Sequence, residues 1–173
     1  MKNRLGFFGG SFNPVTNAHL SLIKDAIKRE NLSKVYFVPM GDFYSKDDLA
    51  PVKHRIEMLK IAIQNEPQME ILDISNKNKK TSAIDSFQII DEKFKDYERF
   101  FIMGSDNYKK ISNWKESEKL IHDYKYIILD RSSGDTKDIS ASLVREKLRN
   151  GEIADELIPK QIIEYIKQNN LYR

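Results

Sequence analysis

The chain has no cysteine, a single tryptophan, and no apolar run near the roughly 20 residues that a membrane-spanning helix requires. Without cysteine there is no disulfide and no thiolate metal site, as suits a reducing compartment. An excess of one charge is also missing. The 29 basic and 26 acidic residues leave a net charge of +3, too balanced for a duplex nucleic-acid surface. A small anionic ligand fits better. The opening "MKNRLGFFGG" is basic, but its apolar part is too short and too broken by glycine for a signal peptide. The chain therefore reads as a soluble, cytoplasmic protein with neither membrane nor nucleic-acid partner. No repeat or low-complexity linker divides it, and 173 residues are predicted to form one domain, 1–173. A chain of this length buries roughly two thirds of the surface its unfolded form exposes.

What is present is a recurrence of short apolar runs: Arg4 to Gly9, Lys34 to Pro39, Met69 to Asp73, Arg99 to Gly104 and Tyr124 to Asp130. Continuous runs of this kind suit strands covered on both faces. Between them, helical spacing links Leu20, Ile23, Ala26 and Ile27, then Ile56, Leu59, Ala62 and Ile63, then Ile84, Phe87, Ile90 and Phe94. Strand alternating with helix predicts an α/β fold with a doubly wound, mainly parallel sheet of about five strands. Helices over Ala141 to Asn150 and Pro159 to Asn169 close the pattern, with Gly151 as a stop signal. In such sheets ligands sit beyond the carboxyl ends of the strands, where strand order reverses. The junctions after Gly9, Pro39, Gly104 and Asp130 are the places to search.

At the first junction, "GGSFNPVTNAHL" places Gly9 and Gly10 where a phosphate would approach the backbone, and Asn13-Pro14 turns the chain tightly. A helix starts near Asn17 or Ala18, so open N–H groups and the positive end of its dipole are expected to face the loop. His19, on the first turn, can add a hydrogen bond to a phosphate oxygen. On spacing alone the stretch reads equally as an ordinary strand-to-helix turn with a solvated histidine. Yet "GSFNPVTNAHL" resembles the signature of the nucleotidylyltransferases, Gly-x-Phe-x-Pro-x-(His or Thr)-x-x-His, and its Asn-Pro-x-Thr-Asn form is similar to the nicotinamide and nicotinate mononucleotide adenylyltransferases. Thr16 stands where the first histidine often is, and Asn13 where aspartate is common. Thr16 can offer a hydroxyl but no charge.

The other junctions carry the same resemblance. "DISASLVREKL" sets Ser140 and Ser142 before a helix and Arg145 one turn into it, which taken alone reads as a helix cap and a surface arginine. It is similar to the family's Ile-Ser-Ser-Thr-x-x-Arg motif, which implies contacts to the ATP phosphates, with Ala141 in place of one serine. "GSDNYKKISNW" presents Asp106 and Trp114; a tryptophan here reads first as a semi-buried anchor, but the resemblance implies stacking on a pyridine ring. The loop after Pro39 has diverged from the family pattern, and Lys46 is the best match to its phosphate-approaching lysine. Arg55 opens the next helix, where the resemblance implies that it holds this loop. Thr81 and Ser82 match a helix start on the pyridine side. No counterpart of the Arg-Gly-Leu-Arg segment of the phosphopantetheine adenylyltransferases is found. After Arg131 the chain reaches its serine motif sooner than the family does, which predicts a smaller site cover or a missing edge strand.

The resemblance implies adenylyl transfer from ATP to a pyridine mononucleotide. His19, Lys46 and Arg145 are the expected catalytic residues. Gly9, Gly10, Ser11, Phe12, Thr16, His19, Gly104, Asp106, Ser140, Ser142 and Arg145 form the ATP side. Lys46, Thr81, Ser82, Asp106 and Trp114 form the mononucleotide side. Magnesium is expected to arrive with ATP rather than in a protein cage. Two other readings stay open at this point: a cytidylyltransferase or other nucleotidyl transferase of the same fold, and a non-catalytic nucleotide sensor. The choice between amide and acid forms of the pyridine, and the oligomeric state, are not legible in one sequence.

Overall fold

A computed structural model describes residues 3–43, 48–74, 81–130 and 139–173. Five strands, β1 (Arg4–Gly10), β2 (Lys34–Pro39), β3 (Met69–Ile71), β4 (Glu98–Gly104) and β5 (Tyr126–Leu129), pair in the order β3-β2-β1-β4-β5. Every pairing is parallel, so each connection is a crossover. The crossovers carry helices α1 (Asn17–Arg29), α2 (Val52–Ile63), α3 (Ala83–Lys93), the one-turn α4 (Ser105–Tyr108) and α5 (Ser117–Asp123). Helices α6 (Ala141–Arg149) and α7 (Lys160–Gln168) follow. The doubly wound α/β sheet predicted from the sequence is the fold observed.

Its central strand explains the greasy start of the chain. Leu5, Phe7 and Phe8 of β1 are all buried because β1 has a strand on each side and helices on each face. On one face Phe8 joins Ile23, Ile27, Phe37, Leu59, Ile162 and Ile166 in the main core, which α1, α2 and α7 cover. On the other face Leu5 and Phe7 meet Ile90, Phe94 and Phe101 under α3. A third, smaller cluster of Ile84, Met103, Ile111 and Leu120 lies under the start of α3 and beside α5. Each fully buried side chain of this size contributes about 1.5–3 kcal/mol.

Three sequence expectations shift at their edges. Strand β3 stops at Ile71, although Leu72 N–H still donates to Phe37 O at 2.9 Å. Among the described residues it is an edge strand, paired with β2. Strand β5 starts at Tyr126 rather than Tyr124, because Tyr124 is the cap that ends α5. On α2 the buried face runs through Arg55, Met58, Leu59 and Ile63, whereas Ile56 and Ala62 are only half-buried. Periodicity of apolar residues could not find a buried arginine. Gly151, at φ 71°, ends the turn after α6 in the left-handed conformation its lack of a Cβ permits.

Candidate functional site

The reversal of strand order falls between β1 and β4: the chain leaves β1 toward β2 and leaves β4 toward β5. Phe8 pairs with Ile102, and continuing that register sets Gly10 beside Gly104. Among the described residues, a Cβ built on Gly9 or on Gly104 would meet nothing within 4 Å, so these leave the carboxyl ends of the adjoining strands open. Gly10 is different. A Cβ there would lie 3.0 Å from the Phe12 ring, which folds back beneath it. Phe12 has φ 47° and is buried against Phe8 and Phe37. Its side chain is core, so any nucleotide contact at this position falls to its backbone.

For Thr16 the structure supplies a local purpose. The residue is fully buried and caps α1: its hydroxyl accepts from His19 N–H at 3.4 Å, while Thr16 N–H donates to His19 Nδ1 at 3.0 Å. With Nδ1 accepting a backbone N–H, the imidazole proton resides on Nε2. The ring is held further by edge contact with Phe12, centroids 5.6 Å apart, and by Phe8 at 6.0 Å. Thr16 thus sets the tautomer and orientation of His19. The cap also uses an N–H expected to be open, and Leu157 O accepts another, from Asn17, at 2.9 Å. Backbone donors at the start of α1 are therefore fewer than the sequence suggests, which places more weight on the imidazole.

Helix α6 meets the same loop from the other side. Ser140 caps it, its hydroxyl accepting from Leu143 N–H at 3.1 Å. Arg145 donates from Nη1 to Asn13 O at 2.7 Å and from Nη2 to the exposed Ser142 hydroxyl at 3.4 Å. Arg145 Nε, buried, has no hydrogen-bond partner among the described residues. The loop over residues 11–16 is thus gripped by His19 at one end and by Arg145 in its middle, bringing together the two motifs that lie 126 positions apart in numbering.

A second group gathers on the β4 side. Asp106 lies exposed on α4, one residue beyond Ser105. Trp114 is half-buried and packs against the cluster of Ile84, Met103, Ile111 and Leu120. That cluster includes the first turn of α3, whose cap is Ser82; the Ser82 hydroxyl donates to Asp85 Oδ2 at 2.6 Å, and Asp85 N–H donates back at 3.4 Å. Lys115 reaches Asp85 at 3.9 Å, so Trp114 and the Thr81-Ser82 helix start are neighbours. Lys46 lies outside the described residues, as does the short segment after Arg131.

Arg55 does what the sequence implied and more. Although 0 % exposed, it donates to Ala50 O at 2.7 Å, Ser11 O at 2.8 Å, Gly41 O at 3.3 Å and Asp42 Oδ1 at 3.1 Å. Burial holds its pKa below the usual value, and the Asp42 carboxylate offsets only part of that. One guanidinium therefore fastens the loop after β1 to both ends of the β2–α2 segment. Sequence reasoning missed Asn13 and Tyr172 as partners in this network; a buried asparagine amid apolar residues was the available signal for the first.

Comparison with known proteins agrees with this geometry. A Dehalococcoides mccartyi protein named "Probable nicotinate-nucleotide adenylyltransferase" is 30% identical, the match covering 98% of this chain and 97% of that one. A Borreliella burgdorferi protein of the same name is 31% identical over 98% and 96% of the two chains. The structure of Plasmodium falciparum nicotinic acid mononucleotide adenylyltransferase complexed with NaAD, 22% identical, superposes with a TM-score of 0.86 over 98% of this chain and 97% of that one, a likeness of fold. The family described as Cytidylyltransferase-like matches residues 7–147, from the middle of β1 to the arginine helix α6. With the glycine ends, the capped histidine and the tethered arginine all inside that span, the chain belongs to the cytidylyltransferase-like family.

Proposed function

We propose that this protein transfers the adenylyl group of ATP to nicotinate mononucleotide, releasing pyrophosphate and the dinucleotide. The observation that carries the reading is the convergence of His19 and Arg145 on one loop beside the open strand ends at Gly9 and Gly104. The names of the full-length relatives support the acid form of the pyridine as acceptor. In the reaction a mononucleotide phosphate oxygen attacks the α-phosphorus of ATP, and the bond to the bridging oxygen of pyrophosphate breaks. The nucleophile is an anion at neutral pH, so no base is required. Catalysis consists of bringing two polyanions into line and stabilising charge on the departing phosphates. His19 Nε2–H and the Arg145 guanidinium supply donors there, with Ser140, Ser142 and Lys46 as further contacts. Asp106 serves the ribose hydroxyls, and Trp114 with Thr81 and Ser82 serves the pyridine side. Among the described residues no three His, Asp or Glu side chains gather into an ion-binding group. The magnesium we propose therefore travels with the ATP phosphates and water, as its preference for octahedral oxygen and slow dehydration favour.

The test is pyrophosphate release with ATP or CTP and each pyridine mononucleotide in turn. Release with ATP and nicotinate mononucleotide, and little with CTP, is expected. ATP binding with no productive pair would replace the enzyme reading with a sensor. His19→Ala should lower kcat by about 10²–10³, the usual loss of one preorganised donor to developing charge, while folding is retained.

A further inference from the structure

Beyond α7 the backbone turns twice into the left-handed region, at Asn170 (φ 53°) and Tyr172 (φ 59°), where a side chain with a Cβ is uncommon. The turn drives the Tyr172 ring inward until 9% of the residue is exposed, amid the main core. Its hydroxyl donates to Asn13 Oδ1 at 2.6 Å, and both groups are buried. Burial pushes the phenol pKa up, so the donor persists through neutral and moderately alkaline pH. Asn13 Oδ1 accepts a second hydrogen bond, from Ala50 N–H at 3.0 Å, and Asn13 Nδ2 donates to Asp48 O at 2.8 Å. Two donors on the oxygen and a carbonyl on the nitrogen permit one orientation of the carboxamide.

The partners divide by place in the fold. Asp48 and Ala50 end the β2–α2 segment, whose start at Gly41 and Asp42 is tied by Arg55. The backbone of Asn13 belongs to the loop that His19 and Arg145 grip, and Arg145 donates to the Asn13 carbonyl. A tug on the Asn13 side chain is therefore a tug between the two loops that face the strand ends. We propose that Tyr172 is a positioning residue for adenylyl transfer, acting through Asn13 to hold the end of the β2–α2 segment against the β1–α1 loop. The proposal rests on the function inferred above. A carboxylate at position 13 would confront the Asp48 carbonyl with an acceptor, so the chemistry here requires the amide.

Tyr172→Phe, Asn13→Ala and the double variant test it, each assayed well below its own unfolding temperature. Losing one hydrogen bond that aims Asn13 should lower kcat/KM about 3–10-fold in Tyr172→Phe. Asn13→Ala should cost more than tenfold, and the double variant no more than Asn13→Ala alone. Exchange of the Ala50 amide, which donates to Asn13, should quicken in Tyr172→Phe while that of Val35 in β2 stays unchanged. A lower unfolding temperature with kcat/KM unchanged would overturn the proposal, as would independent effects that multiply in the double variant. Should the unaltered protein release no pyrophosphate with any pair, the function fails separately and with it the role in transfer. Ala50 exchange then judges the tie alone, and unchanged exchange refutes it.

Discussion

Replacing Arg55 by methionine keeps an unbranched stem of similar reach and removes every donor. The guanidinium makes short hydrogen bonds to Ala50 O and Ser11 O, at 2.7 and 2.8 Å, and longer ones to Gly41 O and Asp42 Oδ1. Hydrogen bonds from a charged donor contribute about 1.5–3 kcal/mol each when buried. The Asp42 contact is discounted because that carboxylate is 49% exposed and water can replace its partner. The two short bonds alone then make the variant about 3–6 kcal/mol less stable. At roughly 2–4 °C per kcal/mol for a domain of this size, the unfolding midpoint should fall about 6–24 °C. Thermal unfolding followed by circular dichroism measures it. Arg55→Lys keeps the charge but has no planar fork to span four acceptors, and should recover less than half of the loss. A midpoint within 2 °C of the unaltered protein in Arg55→Met would refute the assignment of Arg55 as the fastener of the two loops.

Gly9→Ala should leave the unfolding temperature unchanged and raise the KM for ATP, because its Cβ enters open space at the strand end where ligand is proposed; Gly10→Ala should unfold several degrees lower, its Cβ meeting the Phe12 ring at 3.0 Å. Thr16→Val removes the hydroxyl that caps α1 and borders His19 Nδ1, and is expected to cost about 1 kcal/mol of stability in denaturant titration and to lower kcat without altering KM for the mononucleotide. Trp114→Ala should raise KM for the mononucleotide more than KM for ATP in steady-state kinetics. Burial raises the phenol pKa of Tyr36, Tyr124, Tyr126, Tyr165 and Tyr172, so the folded chain holds protons that the unfolded chain releases near pH 10. Stability is therefore full below that pH and declines as pH rises above it, and ultraviolet titration of the folded protein should show these five phenols ionising above the ordinary tyrosine range.

The sheet and its order of helices were legible because buried parallel strands must be continuous apolar runs, and the crossovers must be amphipathic. Strand ends were legible less well: Tyr124 is as apolar as its neighbours, and only its role in ending α5 excludes it from β5. In the site, His19, Arg145 and Trp114 stood out because histidine, arginine and tryptophan in those settings have chemistry to offer. The structural duties of Thr16 and Phe12 were not legible, for a physical reason. A motif records which residues a loop needs, but not whether a residue meets the ligand or holds the one that does. Asn13 and Tyr172 were harder still, since their bond joins residues 159 positions apart and neither spacing nor composition registers it.

The place of β1 at the middle of the sheet sets a timetable for biosynthesis. Its apolar segment is made long before β4, whose Glu98–Gly104 must line one of its edges. At 5–20 residues per second, roughly 5–20 s separate the two on a ribosome. Through that interval Phe7 and Phe8 have β2 and α1 for company but bare hydrogen-bonding groups on the other flank, the condition under which a nascent strand recruits the wrong neighbour. A slow codon cluster between α3 and β4 would lengthen that exposure, and a chaperone that shelters nascent apolar segments would serve this chain most before its hundredth residue emerges.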